Sequence, residues 1–247
     1  MDRDPRTVLV IDDETATLTM FRLFLQAFGY RVLVAENGKS GMELVRLERP
    51  RIVFTDLKMP EMDGFEVLGW IKKHSPETEV IVITGHGDMD LAIQALNLDA
   101  TDFINKPIKR TALDAALRRA EMRLNRSLPH EGRIVFTIEG RTAVITIEGT
   151  LRRENRKALA AAVESAIGAA PVGVLVRFAD YAAFNGAGIA ELINGLAAIR
   201  ENGQAAAVAG LSENFRALSE MVGLTRFASL CDSESEAASV LDPKTPA

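Results

Sequence analysis

The stretch RIVFTDLKMPEMDGFEVLGWIKKH, residues 51–74, decides the fold of the first half. RIVFT is a short run of apolar and β-branched residues, the composition of a strand buried on both faces. GFEVLGWIKKH carries apolar residues at helical spacing. Between the two lies the loop DLKMPEMDG, with Asp56 at the end of the strand. The pattern repeats outward in both directions. TVLVI, RVLVA, EVIVIT and DFI read as further strands, and TLTMFRLFLQAF, GMELVRLE and DLAIQALNL as helices between them. A last helix runs through ALDAALRRAEMRLNR. Alternation of this kind predicts a parallel sheet with helices on both faces. Crossovers are right-handed, so the loops after the strands gather at one edge.

What stands just past those strands is chemical. Asp12 and Asp13 follow the first, Asp56 the third, Thr84 the fourth, and Lys106-Pro107 the fifth. Ligands of open parallel sheets bind at that edge. Three carboxylates drawn together repel unless a hard cation joins them. Mg²⁺ suits oxygen ligands and keeps waters for phosphate oxygens. Lys106 adds a compact positive charge and Thr84 a hydroxyl donor. Each feature alone is ordinary, since an Asp pair after a strand usually caps a turn and a Lys-Pro usually turns the chain. The set, in strand order, is what phosphorylation of a carboxylate requires.

These residues carry a resemblance. VLVIDDE, FTDLKMPEMDG, VIVITGHGD and DFINKPI make Thr7 to about Asn125 similar to the receiver domain of two-component response regulators. The resemblance implies a flavodoxin-like, doubly wound α/β fold with five parallel strands. It implies that Asp56 accepts a phosphoryl group from a sensor histidine kinase. Asp13, Asp56 and the backbone carbonyl of Lys58 would hold Mg²⁺, with Asp12 acting largely through water. Thr84 and Lys106 would bind the phosphoryl oxygens, and Phe103 would take an aromatic switch position, rotating inward on phosphorylation. The Lys106-Pro107 bond would be cis. Lys58 and His86 flank the acceptor, placed either to tune dephosphorylation or simply to be solvated.

Ser127 to Gly132 (SLPHEG) is polar and holds Pro129, so residues 1–126 and 133–232 are expected to be separate domains joined by 127–132. GRIVFTIEG and TAVITIEGTL predict a hairpin around Gly140. A helix with Leu159, Val163 and Ile167 on one face follows, then VGVLVRF, the helix GIAELINGLAAI, the strand QAAAVAG, the helix SENFRALSEMVG and a strand within Leu224–Leu230. The Ser/Glu-rich stretch 233–247 is expected to be a flexible tail. This order, and the segment VGVLVRFADYAAFNGAGIAELI, resemble a STAS domain of the anti-sigma-factor-antagonist type, a smaller mixed-sheet α/β fold. That family often phosphorylates a Ser or Thr before a Gly at this helix start. Here the four positions are Asn185, Gly186, Ala187 and Gly188, and Ala187 accepts no phosphate. The resemblance therefore implies a binding-only output toward an anti-sigma factor kinase or another signalling protein.

Composition narrows the remaining choices. Of 247 residues, 17 Lys and Arg face 20 Asp and Glu up to Asn125, and 12 face 14 beyond it. Neither half is a basic body, so nucleic acid is not expected as a partner. Cys231 is the only cysteine, which leaves no disulfide framework and suits the cytoplasm. No stretch is long and apolar enough to span a bilayer, so no membrane partner is expected. Leu113, Leu117, Ala120 and Leu124 alternate spacings of four and three. That pattern serves either packing on the helix's own sheet or a short coiled-coil seam of a homodimer. Two other functions compete. A DNA-binding transcription factor would suit this receiver type but lacks a basic recognition helix here. A haloacid-dehalogenase-type phosphatase would want Asp-x-Asp after the first strand, where Asp12 is followed two positions later by Glu14. The chain is thus expected to be a phosphoacceptor with at most self-phosphorylation and autodephosphorylation, and not a metabolic enzyme.

Overall fold

Ile52–Asp56 is flanked by parallel strands on both sides and buried along its whole length, as its unbroken apolar run requires. A computed structural model describes residues 6–85, 87–125, 132–169, 172–180 and 182–242. The chain divides into two units, residues 1–127 and 128–247. His86 and residues 127–131 of the expected linker lie outside the described residues.

The first unit alternates β1 (Thr7–Ile11), α1 (Thr15–Ala27), β2 (Arg31–Ala35), α2 (Gly38–Glu48), β3 (Ile52–Asp56), α3 (Gly64–His74), β4 (Glu79–Thr84), α4 (Met89–Asn97), β5 (Asp102–Asn105) and α5 (Arg110–Asn125). The sheet order is β2-β1-β3-β4-β5, all parallel. α1 and α5 share one face, where Leu18, Phe21, Leu25, Leu113, Leu117 and Ala120 meet Val10, Phe54 and Ile83. Leu124 packs against the same cluster. All four residues of the pattern therefore face their own sheet, as the first of the two readings of α5 expects.

Two buried ion pairs fasten α5 further: Arg119 reaches Asp102, and Arg123 Nε lies 3.1 Å from Glu79 Oε2. The Thr101 hydroxyl also donates to Glu79. No sequence pattern announced these carboxylates, which open the strands β4 and β5 with less than 2% exposure.

The second unit runs β6 (Arg133–Glu139), β7 (Thr142–Glu148), β8 (Thr150–Leu151), α6 (Arg156–Gly168), β9 (Gly173–Phe178), β10 (Ala183–Phe184), α7 (Gly186–Glu201), β11 (Ala205–Ala209), α8 (Glu213–Met221), β12 (Ser229–Cys231) and α9 (Glu234–Leu241). Its main sheet is mixed, in the order β12-β11-β9-β7-β6, with only β6 antiparallel. Gly140 takes φ 61° at the β6–β7 hairpin, as a tight turn needs. The last strand is shorter than Leu224–Leu230 because Leu224–Arg226 forms a 3₁₀ turn first. The short parallel pair β8–β10 was not foreseen, as two residues carry no periodicity.

The flexible-tail expectation for 233–247 is also corrected, because Glu234–Leu241 is a helix. The Ser233 side chain caps it by accepting from Glu236 N at 3.1 Å, and two glutamates sit in its first turn, where the helix dipole favours them. Ala237 and Leu241, four apart, bury against Val144, Leu175, Ala207 and Ala209. Residues 243–247 lie outside the described part.

Candidate functional site

Backbone bonds running past the strand ends set the site. Asp12 N donates to Ala35 O at 3.1 Å, Leu57 N to Ile83 O at 3.1 Å, and Lys106 N to Thr84 O at 2.7 Å. The ladders thus hold Asp12, Asp56 and Lys106 in register at one edge of the first unit's sheet. The loop after β3 then folds back, with Gly64 N donating to Leu57 O at 3.1 Å. A Cβ on Gly64 would run into the Asp56 carbonyl oxygen, so only glycine fits there. Asp63 closes the turn by capping α3 through Glu66 N at 2.9 Å.

Asp12, Asp13 and Asp56 each bring a carboxylate oxygen within 4.8 Å of the other two. Asp12 and Asp56 are buried and Asp13 is exposed. Lys106 Nζ lies 2.5 Å from Asp56 Oδ2, 3.2 Å from Asp12 Oδ2 and 3.3 Å from Glu14 Oε2. One ammonium therefore faces three carboxylates. Glu14, two residues beyond the strand-end Asp12, joins the site beside Lys106. Hydrogen bonds from Thr17 and Lys106 hold its carboxyl below the usual range.

Burial pushes the Asp12 carboxyl up to about 6, with a backbone bond from Glu14 and the charge of Lys106 opposing. Burial also draws the Lys106 ammonium down. The hydrogen bond and charge of Asp56, with Asp12 behind it, more than offset this and leave Lys106 above its ordinary value. Asp12 serves both roles weighed for an Asp after a strand. Its Oδ1 accepts from Glu14 N at 2.9 Å, a turn bond, while its buried Oδ2 faces the Lys106 ammonium at 3.2 Å.

Lys58 N donates to Asp56 Oδ1 at 3.1 Å, so the Lys58 backbone borders the acceptor. Its ammonium pairs with Asp88 Oδ2 at 2.7 Å while the side chain stays largely in solvent. The Thr84 hydroxyl donates to Asn105 Oδ1 at 2.8 Å. Asn105 lies directly across the β4–β5 ladder from Thr84, and that register could have revealed it. Phe103, on β5, is fully buried. Inward burial of a whole ring is the more stable resting place. The Lys106-Pro107 bond is cis.

Residues 8–118 match the sequence profile of the response regulator receiver domain. The N-terminal half is a receiver domain. Transcriptional regulatory protein ZraR of Klebsiella oxytoca is 36% identical over 113 residues, which is 46% of this chain and 26% of that protein. Transcriptional regulatory protein GlrR of Escherichia coli K12 is 34% identical over 117 residues, 47% of this chain and 26% of that one. This chain thus spans about a quarter of the length of these curated relatives. Among solved structures, a receiver domain protein from Clostridium thermocellum is 36% identical and aligns with 47% of this chain and 94% of its own, at a TM-score of 0.46.

In the second unit, Asn185, Gly186, Ala187 and Gly188 open α7. Asn185 Oδ1 accepts from Gly188 N at 2.8 Å, a helix cap. A Cβ at Gly188 would meet the Leu151 carbonyl, so this glycine lets α7 start against β8. The loop is built by capping and close packing, with Ala187 half-buried.

Proposed function

We propose that this protein is a response regulator that takes a phosphoryl group on Asp56 from a sensor histidine kinase and answers through the protein contacts of its second unit. The observation that carries the reading is Lys106 Nζ at 2.5 Å from Asp56 Oδ2, with Asp12 and Asp13 alongside. An Asp56 carboxylate oxygen would attack phosphorus, forming an O–P bond as the bond to the donor nitrogen breaks. Lys106 already faces that oxygen and would offset the charge gathering on the phosphoryl group. Thr84 would turn its hydroxyl from Asn105 to a phosphoryl oxygen. Phe103 would repack into the space that Thr84 leaves.

The residues fit Mg²⁺. Three carboxylate oxygens converge within 4.8 Å of one another, and Asp12 and Asp56 are buried while Asp13 is open to solvent. Asp13, Asp56 and the Lys58 carbonyl would hold the ion, with Asp12 through water. When bound it supplies positive charge against the carboxylates and the incoming phosphate.

For the second unit we favour a STAS-like output that binds without being phosphorylated itself. Asn185 caps the helix where that family's acidic residue stands, and Ala187 has no hydroxyl. Its partner would be an anti-sigma factor kinase or another signalling protein, and the chain would turn over no substrate beyond its own phosphoryl group. Capture of partners by the full chain, with and without a phosphoryl mimic on Asp56, tests this. A partner whose binding changes is expected; identical binding of every partner contradicts it. The names of the relatives favour a second reading, transcriptional control by direct DNA contact. The acidic balance of the second half opposes it, and salt-sensitive, sequence-selective mobility shifts would establish it.

A further inference from the structure

The main sheet of the second unit ends on β6. β6 pairs with β7 and stands last in the sheet order. Its outer edge therefore offers backbone N–H and C=O groups with no ladder partner among the described residues of that sheet. Natural edges of this length are usually blunted by lysine, proline or a bulge. RIVFTIE holds no lysine or proline, and its seven residues pair with β7 one to one, without a bulge. Ile138, on this strand, keeps 50% of its surface exposed.

A lone exposed isoleucine is ordinary. The order of residues around it is not. We propose that β6 pairs antiparallel with β6 of a second copy of this chain, about a two-fold axis at Phe136. In that register Arg133 faces Glu139 of the second copy, Ile134 faces Ile138, Val135 faces Thr137, and Phe136 faces itself. The strand is complementary to its own reverse, which is what a two-fold contact demands. A slip of two residues breaks both Arg–Glu pairs and both Ile–Ile pairs, so the side chains fix the register.

The neighbouring strand supports the same arrangement. Ile134, Phe136 and Ile138 lie opposite Ile147, Ile145 and Ala143 of β7, all buried. Pairing would continue that apolar row into the second copy and cover Ile138. On the other face, Glu139 pairs with Arg177 at 2.9 Å and Arg133 lies 3.8 Å from Glu148. Pairing would join these into one alternating row of charge across the two copies. Directly opposed unlike charges stabilise a strand pair, and like charges oppose it.

Sedimentation velocity on the unphosphorylated full chain tests the proposal, with far-UV circular dichroism checking that each variant is folded. The chain is expected to dimerise at tens of micromolar. Ile138→Lys and Arg133→Glu should each weaken the dimer at least tenfold. Hydrogen exchange at Val135 to Thr137 should slow as concentration rises. A chain that stays monomeric, a dimer indifferent to Ile138→Lys and Arg133→Glu, or exchange at β6 that ignores concentration would overturn it.

Discussion

Buried charge separates the two units. Both are helix-covered sheets built largely of parallel strands, with glycine where a helix starts against a strand. The receiver buries Asp12, Asp56, Glu79, Asp102 and Arg119. Among the described residues of the second unit the buried polar side chains are Thr150, Asn214 and Ser219, all neutral. A fold gains nothing in stability from taking carboxylates out of water unless they are paired. Where they are kept, the receiver uses them to anchor α5 and to build a site. The second unit presents surfaces instead: a capped helix start, and a strand edge.

The sharpest way to break this contrast is to break one buried ion pair. Asp102→Ala removes the carboxylate that Arg119 reaches inside the fold and should cost the receiver about 3–5 kcal/mol. Ser219→Ala, which removes a hydroxyl bonded to Phe215 O at 2.7 Å, should cost the second unit only about 1 kcal/mol. Denaturant titration measures both. Trp70, the only tryptophan, reports the receiver, and hydrogen exchange reports the second unit.

A smaller effect follows from Asp12, whose carboxyl is raised from 3.8 to about 6. Between those values the folded chain keeps a proton that the unfolded chain has lost. In metal-free buffer, stability from this group should therefore fall as pH rises from about 4 to about 6 and level off above, by on the order of 3 kcal/mol at most. Asp12→Asn should flatten that window in thermal melts. An Asp12→Asn profile that runs parallel to the wild-type profile through this window would contradict the burial argument.

Lys106→Gln removes the ammonium that faces Asp12, Glu14 and Asp56. Phosphoryl transfer from a small donor should slow at least tenfold, about 1.4 kcal/mol of barrier, in a quenched time course. The mildest change is in the second unit. Asn185→Ala should cost about 1 kcal/mol as a lost helix cap, and Asn185→Asp should keep the stability. Equal losses from both would show that Asn185 does something other than cap.

Much of the receiver was legible because its information is local. Continuous apolar runs mark buried parallel strands, and the residues just past them must meet at one edge. Asp12, Asp13, Asp56 and Lys106 were placed by that rule alone. Glu14 and Asn105 escaped it because their roles depend on side-chain reach and ladder register. Asp102 and Glu79 escaped because a buried carboxylate has no pattern until its arginine is in place. In the second unit, polar composition suggested a tail where Ser233 caps a helix. Four-residue spacing of Ala237 and Leu241 carried the better signal.

Intact-mass measurement after incubation with a small phosphodonor and Mg²⁺ tests the central claim most directly. Wild-type protein should gain one phosphoryl group, and Asp56→Asn should gain none while remaining folded. Full incorporation into Asp56→Asn, or none into the wild type, would contradict the account.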